Sequence, residues 1–82
     1  MMDPDATLRD LLEAVRVRAW DRVDELAESL LQWVQNRGFP PATIGSPQLG
    51  VEWHRTVTTM LCYLVKSKSR AARERRRRKA GD

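Results

Sequence analysis

The strongest constraint on the fold is a block of positive charge near the carboxyl end of the chain, from Lys66 to Lys79. Nine of these fourteen residues are lysine or arginine and one, Glu74, is acidic, so the block carries a formal charge of +8. Such a block repels itself and cannot contribute to an apolar core. We therefore expect residues 1–65 to form the folded domain and residues 66–82 to form an arginine-rich arm.

The two parts of the chain also differ in the sign of their charge. Residues 1–50 contain five arginines and eight acids, a formal charge of −3, whereas residues 51–82 contain ten bases and three acids, a formal charge of +7. A chain of 82 residues is one domain at most. At this size a core alone supplies only about 3–5 kcal/mol, and oligomerisation often adds stability. A homodimer or a protein partner is therefore expected to use the acidic body.

Apolar residues at three- and four-residue spacing predict two helices before Gly38. After a start signal at Asp3, the first helix is expected over about residues 5–17, with its apolar face at Leu8, Leu11, Leu12 and Val15. The second should begin near Asp21 or Asp24 and end at Arg37, with Gly38 as the left-handed cap. Its inward positions are Val23, Leu26, Ala27, Leu30, Trp33 and Val34. Because neither glycine nor proline lies between residues 17 and 20, one continuous helix over residues 5–37 is the alternative.

A third helix is predicted after a loop rich in proline and glycine over residues 38–50. The loop is expected to fold Phe39, Ile44 and Leu49 back over the helix pair, and Ser46-Pro47 is typical of a helix start. The apolar stripe of the third helix is predicted to comprise Leu49, Trp53, Val57, Met60, Leu61 and Leu64, widened by Val51, Cys62 and Val65. Good helix formers continue beyond residue 66. The predicted class is therefore all-α: a helical hairpin, a loop, and a long third helix that extends into the basic arm.

Residues suited to catalysis are sparse in this sequence. His54 is the only histidine, and Cys62 lies eight residues further along the same predicted helix, roughly 12 Å away along its axis. Neither zinc-ligand spacing nor a phosphate-binding glycine loop occurs. We therefore expect no enzymatic activity, no metal, no cofactor and no small-molecule substrate. His54 is expected at the helix surface or flank and Cys62 as a small buried apolar residue, with a ligand and a reactive thiol as the respective alternatives.

The density of arginine in the arm predicts contacts with phosphate groups, because guanidinium groups bind phosphate through two parallel hydrogen bonds. The expected nucleic-acid-binding residues are Lys66, Lys68, Arg70, Arg73, Arg75, Arg76, Arg77, Arg78 and Lys79. Since no aromatic residues are interleaved, DNA or RNA should be bound with little sequence specificity. Two alternatives remain: a solvated tail, and an adaptor or small regulator whose arm binds an acidic protein surface.

The body offers a second candidate surface around the predicted junction of the first two helices. The expected partner-binding residues are Trp20, Asp21, Asp24, Glu25 and Glu28. Because an acidic body is repelled by the polyanion that the arm attracts, this surface should serve dimerisation or the docking of a protein. A packed tryptophan and a solvated acidic face are the alternatives. The leading hypothesis is thus a small non-enzymatic accessory protein that binds nucleic acid.

Cysteine usage and hydropathy predict an intracellular location. The lone Cys62 cannot form an intramolecular disulfide, which is typical of a reducing compartment. Residues 1–5 lack the basic start and apolar segment of a signal peptide, and no apolar run approaches the roughly 20 residues that cross a membrane. The cytoplasm is therefore expected, or the nucleus in a eukaryotic or viral protein, where RERRRRK would match an import signal. No contact with a membrane is expected.

Overall fold

The computed structural model describes residues 2–81, and it describes all side chains in this range except those of Pro47 and residues 78–81. It contains three α-helices, α1 (Pro4–Arg16), α2 (Trp20–Gln35) and α3 (Val51–Gly81), and one 3-10 turn over Pro47–Leu49. No strand occurs among the described residues. Helix α2 packs against both α1 and α3. The predicted all-α class with three helices is confirmed.

The turn between α1 and α2 excludes the alternative of one continuous helix. Helix α1 ends in a Schellman motif, in which the Ala19 N–H donates to the Ala14 carbonyl at 2.9 Å and the Arg18 N–H donates to the Val15 carbonyl at 3.1 Å. Arg18 adopts the left-handed conformation, with φ +58°. The reversal lets α1 and α2 bury their apolar faces against each other, which one straight helix could not do.

Helix α2 ends in the same motif, with one correction to the prediction. Arg37, and not Gly38, takes the left-handed position, with φ +65°. The Gly38 N–H donates to the Trp33 carbonyl at 2.8 Å. Gly38 is needed for a different reason, because a Cβ atom there would lie 2.5 Å from the Trp33 ring. The Trp33 indole in turn donates to the Phe39 carbonyl at 2.8 Å, which fixes the start of the loop.

The core lies between the three helices and matches the predicted pattern best on α2. Its buried apolar residues are Leu8, Leu11, Ala14, Val23, Ala27, Leu30, Leu31, Val34, Cys62 and Val65. On α1 the buried face is rotated from the prediction, since Ala14 is buried and Leu12 is 47% exposed. The predicted burial of Cys62 is confirmed.

The predicted inward face of α3 is wrong for most of its residues, although Cys62 and Val65 are buried as predicted. The buried side chains of this helix follow one another at spacings of four, four, three and four residues: His54, Thr58, Cys62, Val65 and Ser69. Most of the larger apolar residues that the sequence assigned to the core face outwards instead, among them Trp53, Met60 and Leu64. Because the distance between packed helices depends on the side chains at their contact, the small residues Thr58, Cys62 and Ser69 in this row favour a close approach of α3 to the body.

The loop before α3 also differs from the prediction. Phe39 and Ile44 do not fold back over the helices but are 70% and 76% exposed, while Pro40 and Pro41 are buried. Helix α3 begins at Val51 rather than at Pro47, because Gly50, with φ +94°, separates it from the 3-10 turn.

His54 is buried, not at the surface or flank, and it joins this loop to α3. Its Nδ1 atom accepts from the Thr43 N–H at 3.1 Å, and its Nε2 atom lies 3.2 Å from the Ser46 carbonyl. Together these contacts fit a neutral imidazole that carries its proton on Nε2.

We expect His54→Ala to lower the free energy of unfolding by about 1–3 kcal/mol, because it leaves the Thr43 N–H and the Ser46 carbonyl without their partner. Chemical denaturation measures the loss, and hydrogen exchange at the Thr43 amide should accelerate. The control is Ser29→Ala, which replaces a half-buried residue of α2 and should leave hydrogen exchange at Thr43 unchanged. Unchanged exchange at Thr43 would contradict the anchoring role.

Helix α3 passes from the body into the basic segment without a break. Ser69 is 1% exposed, so packing against the body continues beyond residue 65. No helix in the described part of the chain is both long enough and apolar enough to span a membrane.

Candidate nucleic-acid interface

The nine bases predicted to bind phosphate lie on different sides of α3. Lys66 and Arg73 face acids of α2, whereas a second group faces the turn between α1 and α2: Lys68, Arg75 and Arg76. Arg70 and Arg77 line a cleft of mixed charge beside α2. The side chains of Arg78 and Lys79 fall outside the described residues.

The acids predicted to bind a partner contact the basic segment itself. Lys66 Nζ lies 2.6 Å from Glu28 Oε2, and Arg73 Nη2 lies 2.7 Å from a carboxylate oxygen of each of Asp21 and Asp24. Glu25 lines the same cleft of about 640 Å³. Since the residue numbers fall along α2 as they rise along α3, the two helices run antiparallel, and these ion pairs hold them in register.

The ion pair of Lys66 shifts the pKa of both partners. The hydrogen bond from Lys66 lowers the pKa of the Glu28 carboxyl and, reciprocally, raises the pKa of the Lys66 ammonium. Because the pKa of Glu28 is lower in the folded chain than in the unfolded chain, its carboxylate stabilises the fold at pH values above the unfolded pKa. This contribution is lost as the pH falls through the folded pKa. Both side chains are partly exposed, so the pair fixes the orientation of α3 relative to α2 more than it adds to the stability of the fold.

On the other side of α3 lies a groove of about 620 Å³ that contains bases and no acid. We call it the basic groove. Its lining consists of Val15, Arg16, Arg18, Trp20, Lys68, Ala71, Ala72, Arg75 and Arg76. The turn after α1 supplies one wall and residues 68–76 of α3 supply the other. Two alanines leave room between the long basic side chains.

The charges of this basic groove are largely uncompensated. Arg16 is paired with Glu13 on the same helix, and their hydrogen bond lowers the pKa of Glu13 and raises that of Arg16. Within residues 2–81, no carboxylate pairs with the other four bases: Arg18, Lys68, Arg75 and Arg76. Trp20, which packs against the core and is half-buried, adds an aromatic surface to the wall. A groove of this kind attracts a polyanion.

Arg18, whose backbone is strained, lines the basic groove. A non-glycine residue in the left-handed conformation costs on the order of 1 kcal/mol, and glycine would remove that cost. Arg18 and Arg37 occupy equivalent positions of two Schellman motifs, but Arg37 lies at the far end of α2, about 25 Å away at 1.5 Å per residue.

We expect Arg18→Gly and Arg37→Gly each to raise the free energy of unfolding by about 0.5–1 kcal/mol, because both relieve the same strain. Only Arg18→Gly should weaken binding of a nucleic acid. Thermal unfolding and a binding titration measure the two effects on the same samples. Equal losses of affinity in the two variants would show that Arg18 acts only through net charge.

The residues considered for catalysis take structural roles. His54 holds the loop, and Cys62 is fully buried in the core. Burial raises the pKa of the Cys62 thiol to about 11, so the thiol is protonated at neutral pH. Among the described side chains, no group of three or more His, Cys, Asp or Glu residues is placed to hold a metal ion.

Sequence reasoning identified the bases of α3 but missed the residues that face them across the basic groove. Arg16 and Arg18 come from the end of α1 and the turn after it, nearly 60 residues before Arg75 and Arg76, and no local pattern joins the two pairs. The sequence did contain a signal for the ion pairs on the opposite side of α3. The acids at positions 21, 24 and 28 have the same three- and four-residue spacing as the bases at positions 66, 70 and 73, which is typical of two helices joined by ion pairs.

Comparison of the chain with protein-family models, with curated proteins and with solved structures finds no match.

Proposed function

We propose that this chain is a small non-enzymatic accessory protein that binds the phosphate backbone of nucleic acid in the basic groove, with little sequence specificity. The observation that carries the proposal is the groove itself: five bases on two walls, no acid in the lining, and Trp20 at its edge. Guanidinium groups suit this role because they form paired hydrogen bonds with phosphate oxygens.

The aromatic wall favours nucleic acid over an acidic protein surface as the ligand. A base that is unstacked from a single strand can lie on a tryptophan ring, and such stacking tolerates any sequence. Carboxylate side chains gain nothing comparable from Trp20. Single-stranded DNA or RNA is therefore the preferred form of the ligand.

The ion pairs on the other side of α3 support this role indirectly. By engaging Lys66 and Arg73, the acids of α2 fix the direction in which Lys68, Arg75 and Arg76 point. The same carboxylates repel a polyanion from that side of the helix. Binding is thereby directed to the basic groove rather than spread over the whole arm.

Fluorescence anisotropy with labelled oligonucleotides of mixed sequence tests the proposal. If the four unpaired bases of the groove each meet one phosphate, the log–log dependence of affinity on salt should have a slope of about −3 on single strands and about −4 on duplex DNA. No binding at low salt would refute the proposal. Equal affinity for polyglutamate would favour the adaptor hypothesis instead.

Point substitutions are a cleaner test than removal of residues 66–82. Truncation would also delete the buried Ser69 and the contacts of Lys66 and Arg73 with α2. A loss of binding in the truncated chain could then reflect a loss of fold. Substitutions at exposed groove positions such as Arg75 avoid this ambiguity.

A further inference from the structure

An apolar surface on the outside of α3 is the largest feature that the proposed function leaves unused. We call it the outer face, and it comprises Ile44, Leu49, Trp53, Val57, Met60 and Leu64. Five of its six side chains are between 45% and 76% exposed. The Trp53 indole donates to the Ile44 carbonyl at 2.8 Å, which joins the loop to the helical part of the surface.

The outer face is continuous and without charge along four turns of the helix. At 100° per residue, the positions that point away from the body between Trp53 and Ser67 are 53, 56, 57, 60, 63, 64 and 67, and none of them holds a charged residue. Exposed apolar patches of this extent are rare on monomeric proteins and mark interaction surfaces.

We propose that the outer face pairs with the outer face of a second copy of this chain, with the two α3 helices antiparallel. A stable interface removes about 800 Å² from each partner. Six large apolar side chains on one helix and its adjoining loop, together with the half-exposed Tyr63 at their edge, supply a surface of that order.

The charges at the ends of the outer face select the antiparallel arrangement. In a parallel pair, each arginine from Arg70 onwards would face its own counterpart, which strongly disfavours that arrangement. In an antiparallel pair centred between Met60 and Leu61, Val57 lies opposite Leu64 of the second copy. The same centre places Glu52, whose side chain is 84% exposed, opposite Ser69 of the second copy. Arg70 of that copy is the next residue along the helix, about 1.5 Å further, and its long side chain can reach Glu52. The sequence is thus complementary to itself in apolar contact and in charge.

This arrangement would relate two basic grooves by the dimer axis. The groove residues of α3 lie about twelve positions from the centre, roughly 17 Å at 1.5 Å per residue, so the two grooves would be about 35 Å apart along the helices. A twofold axis perpendicular to the helix pair keeps them on the same side of the dimer. Two grooves could then bind one continuous nucleic acid, although the pairing itself does not depend on that ligand.

The mass of the full chain in solution tests the pairing. At high micromolar concentration, light scattering or sedimentation equilibrium should give twice the chain mass of 9.5 kDa. Met60→Glu should give the monomer mass, because it places a charge at the centre of both surfaces. Leu12→Glu, an equivalent change at an exposed apolar residue of α1, should remain dimeric. A monomeric native chain, or a dimer that survives Met60→Glu, would overturn the proposal.

The orientation is tested separately. Glu52→Arg and Arg70→Glu should each weaken dimerisation about tenfold, because each creates two like-charge contacts, and the double variant should restore it. Met60→Cys should form an intermolecular disulfide on oxidation, since the axis brings the two helices together at this residue. Failure of both the charge exchange and the cross-link in a chain that is dimeric would show that another surface mediates the dimer. Circular dichroism confirms that each variant keeps its helices.

Discussion

Replacement of Arg75 and Arg76 together by glutamine is expected to weaken nucleic-acid binding about 100-fold at low salt, because two charge-assisted contacts to phosphate are lost. The log–log slope of affinity against salt should become shallower by about 1.5 to 2, since two fewer counterions are released. Both side chains are exposed, so the fold should not change. Anisotropy titrations at several salt concentrations measure both effects.

The matched control removes the same charge elsewhere. Arg9 and Arg37 are exposed, lie outside the basic groove and can be replaced by glutamine in the same way. At about 0.1–0.15 M salt this variant should lose less than about threefold in affinity, because charges beyond the Debye length of about 8–10 Å at that salt concentration are screened. If the two double variants lose affinity equally, net charge and not the groove governs binding.

Thr58→Lys is expected to lower the free energy of unfolding by about 3–5 kcal/mol, enough to unfold much of a domain of this size. Thr58 is 0% exposed and lies at the centre of the buried face of α3, where its hydroxyl donates to the His54 carbonyl at 2.7 Å. An ammonium group placed there would have neither water nor a carboxylate partner. Circular dichroism with chemical denaturation measures the loss.

Thr56→Lys provides the comparison on the same helix. Thr56 is an identical residue two positions earlier, and it is exposed on the opposite side of α3. In the monomeric Met60→Glu background, where the outer face has no dimer contact to lose, its replacement should change the free energy of unfolding by less than about 0.5 kcal/mol, as is usual for surface positions. If Thr56→Lys were the more damaging change, the apolar stripe of α3 would be the buried face and the packing described above would be wrong.

The sequence predicted α1 and α2 well because each has one clear apolar stripe and a strong signal at one end. Asp3 caps α1 by accepting the N–H groups of Asp5 and Ala6, as its position predicts. The sequence predicted the end of α2 at Arg37, two residues beyond its end at Gln35 in the structure. The left-handed residues were missed, since arginine takes the place where glycine is the usual choice.

Helix α3 shows the limit of reasoning from periodicity. Its largest apolar side chains form one stripe and its small side chains form another. Reasoning from hydrophobicity alone assigns the stripe of large side chains to the core. The structure buries the face that contains Thr58 and Ser69. Close packing of helices favours small residues, whereas a stripe of large residues can also serve contact with another chain. A single sequence does not separate these two uses.

The candidate site was predicted in part. The density of arginine after residue 66 is visible in the sequence, and its affinity for phosphate follows from charge. The basic groove was not predicted, because its second wall comes from the strained turn at Arg18 and from Trp20. The contact of Lys66 and Arg73 with α2 was not predicted either. It gives two of the nine bases a role in orienting α3.

The most direct test of the central claim is an NMR titration of the labelled chain with a single-stranded oligonucleotide at low salt. The three tryptophan indole signals act as internal reporters, because Trp20 lines the basic groove while Trp33 and Trp53 donate to loop carbonyls elsewhere. The indole of Trp20 and the amides of Arg18, Lys68 and Arg75 should shift together, and the indoles of Trp33 and Trp53 should not. Shifts confined to Trp53 and the outer face, or no shifts at all, would contradict the claim that the groove binds nucleic acid.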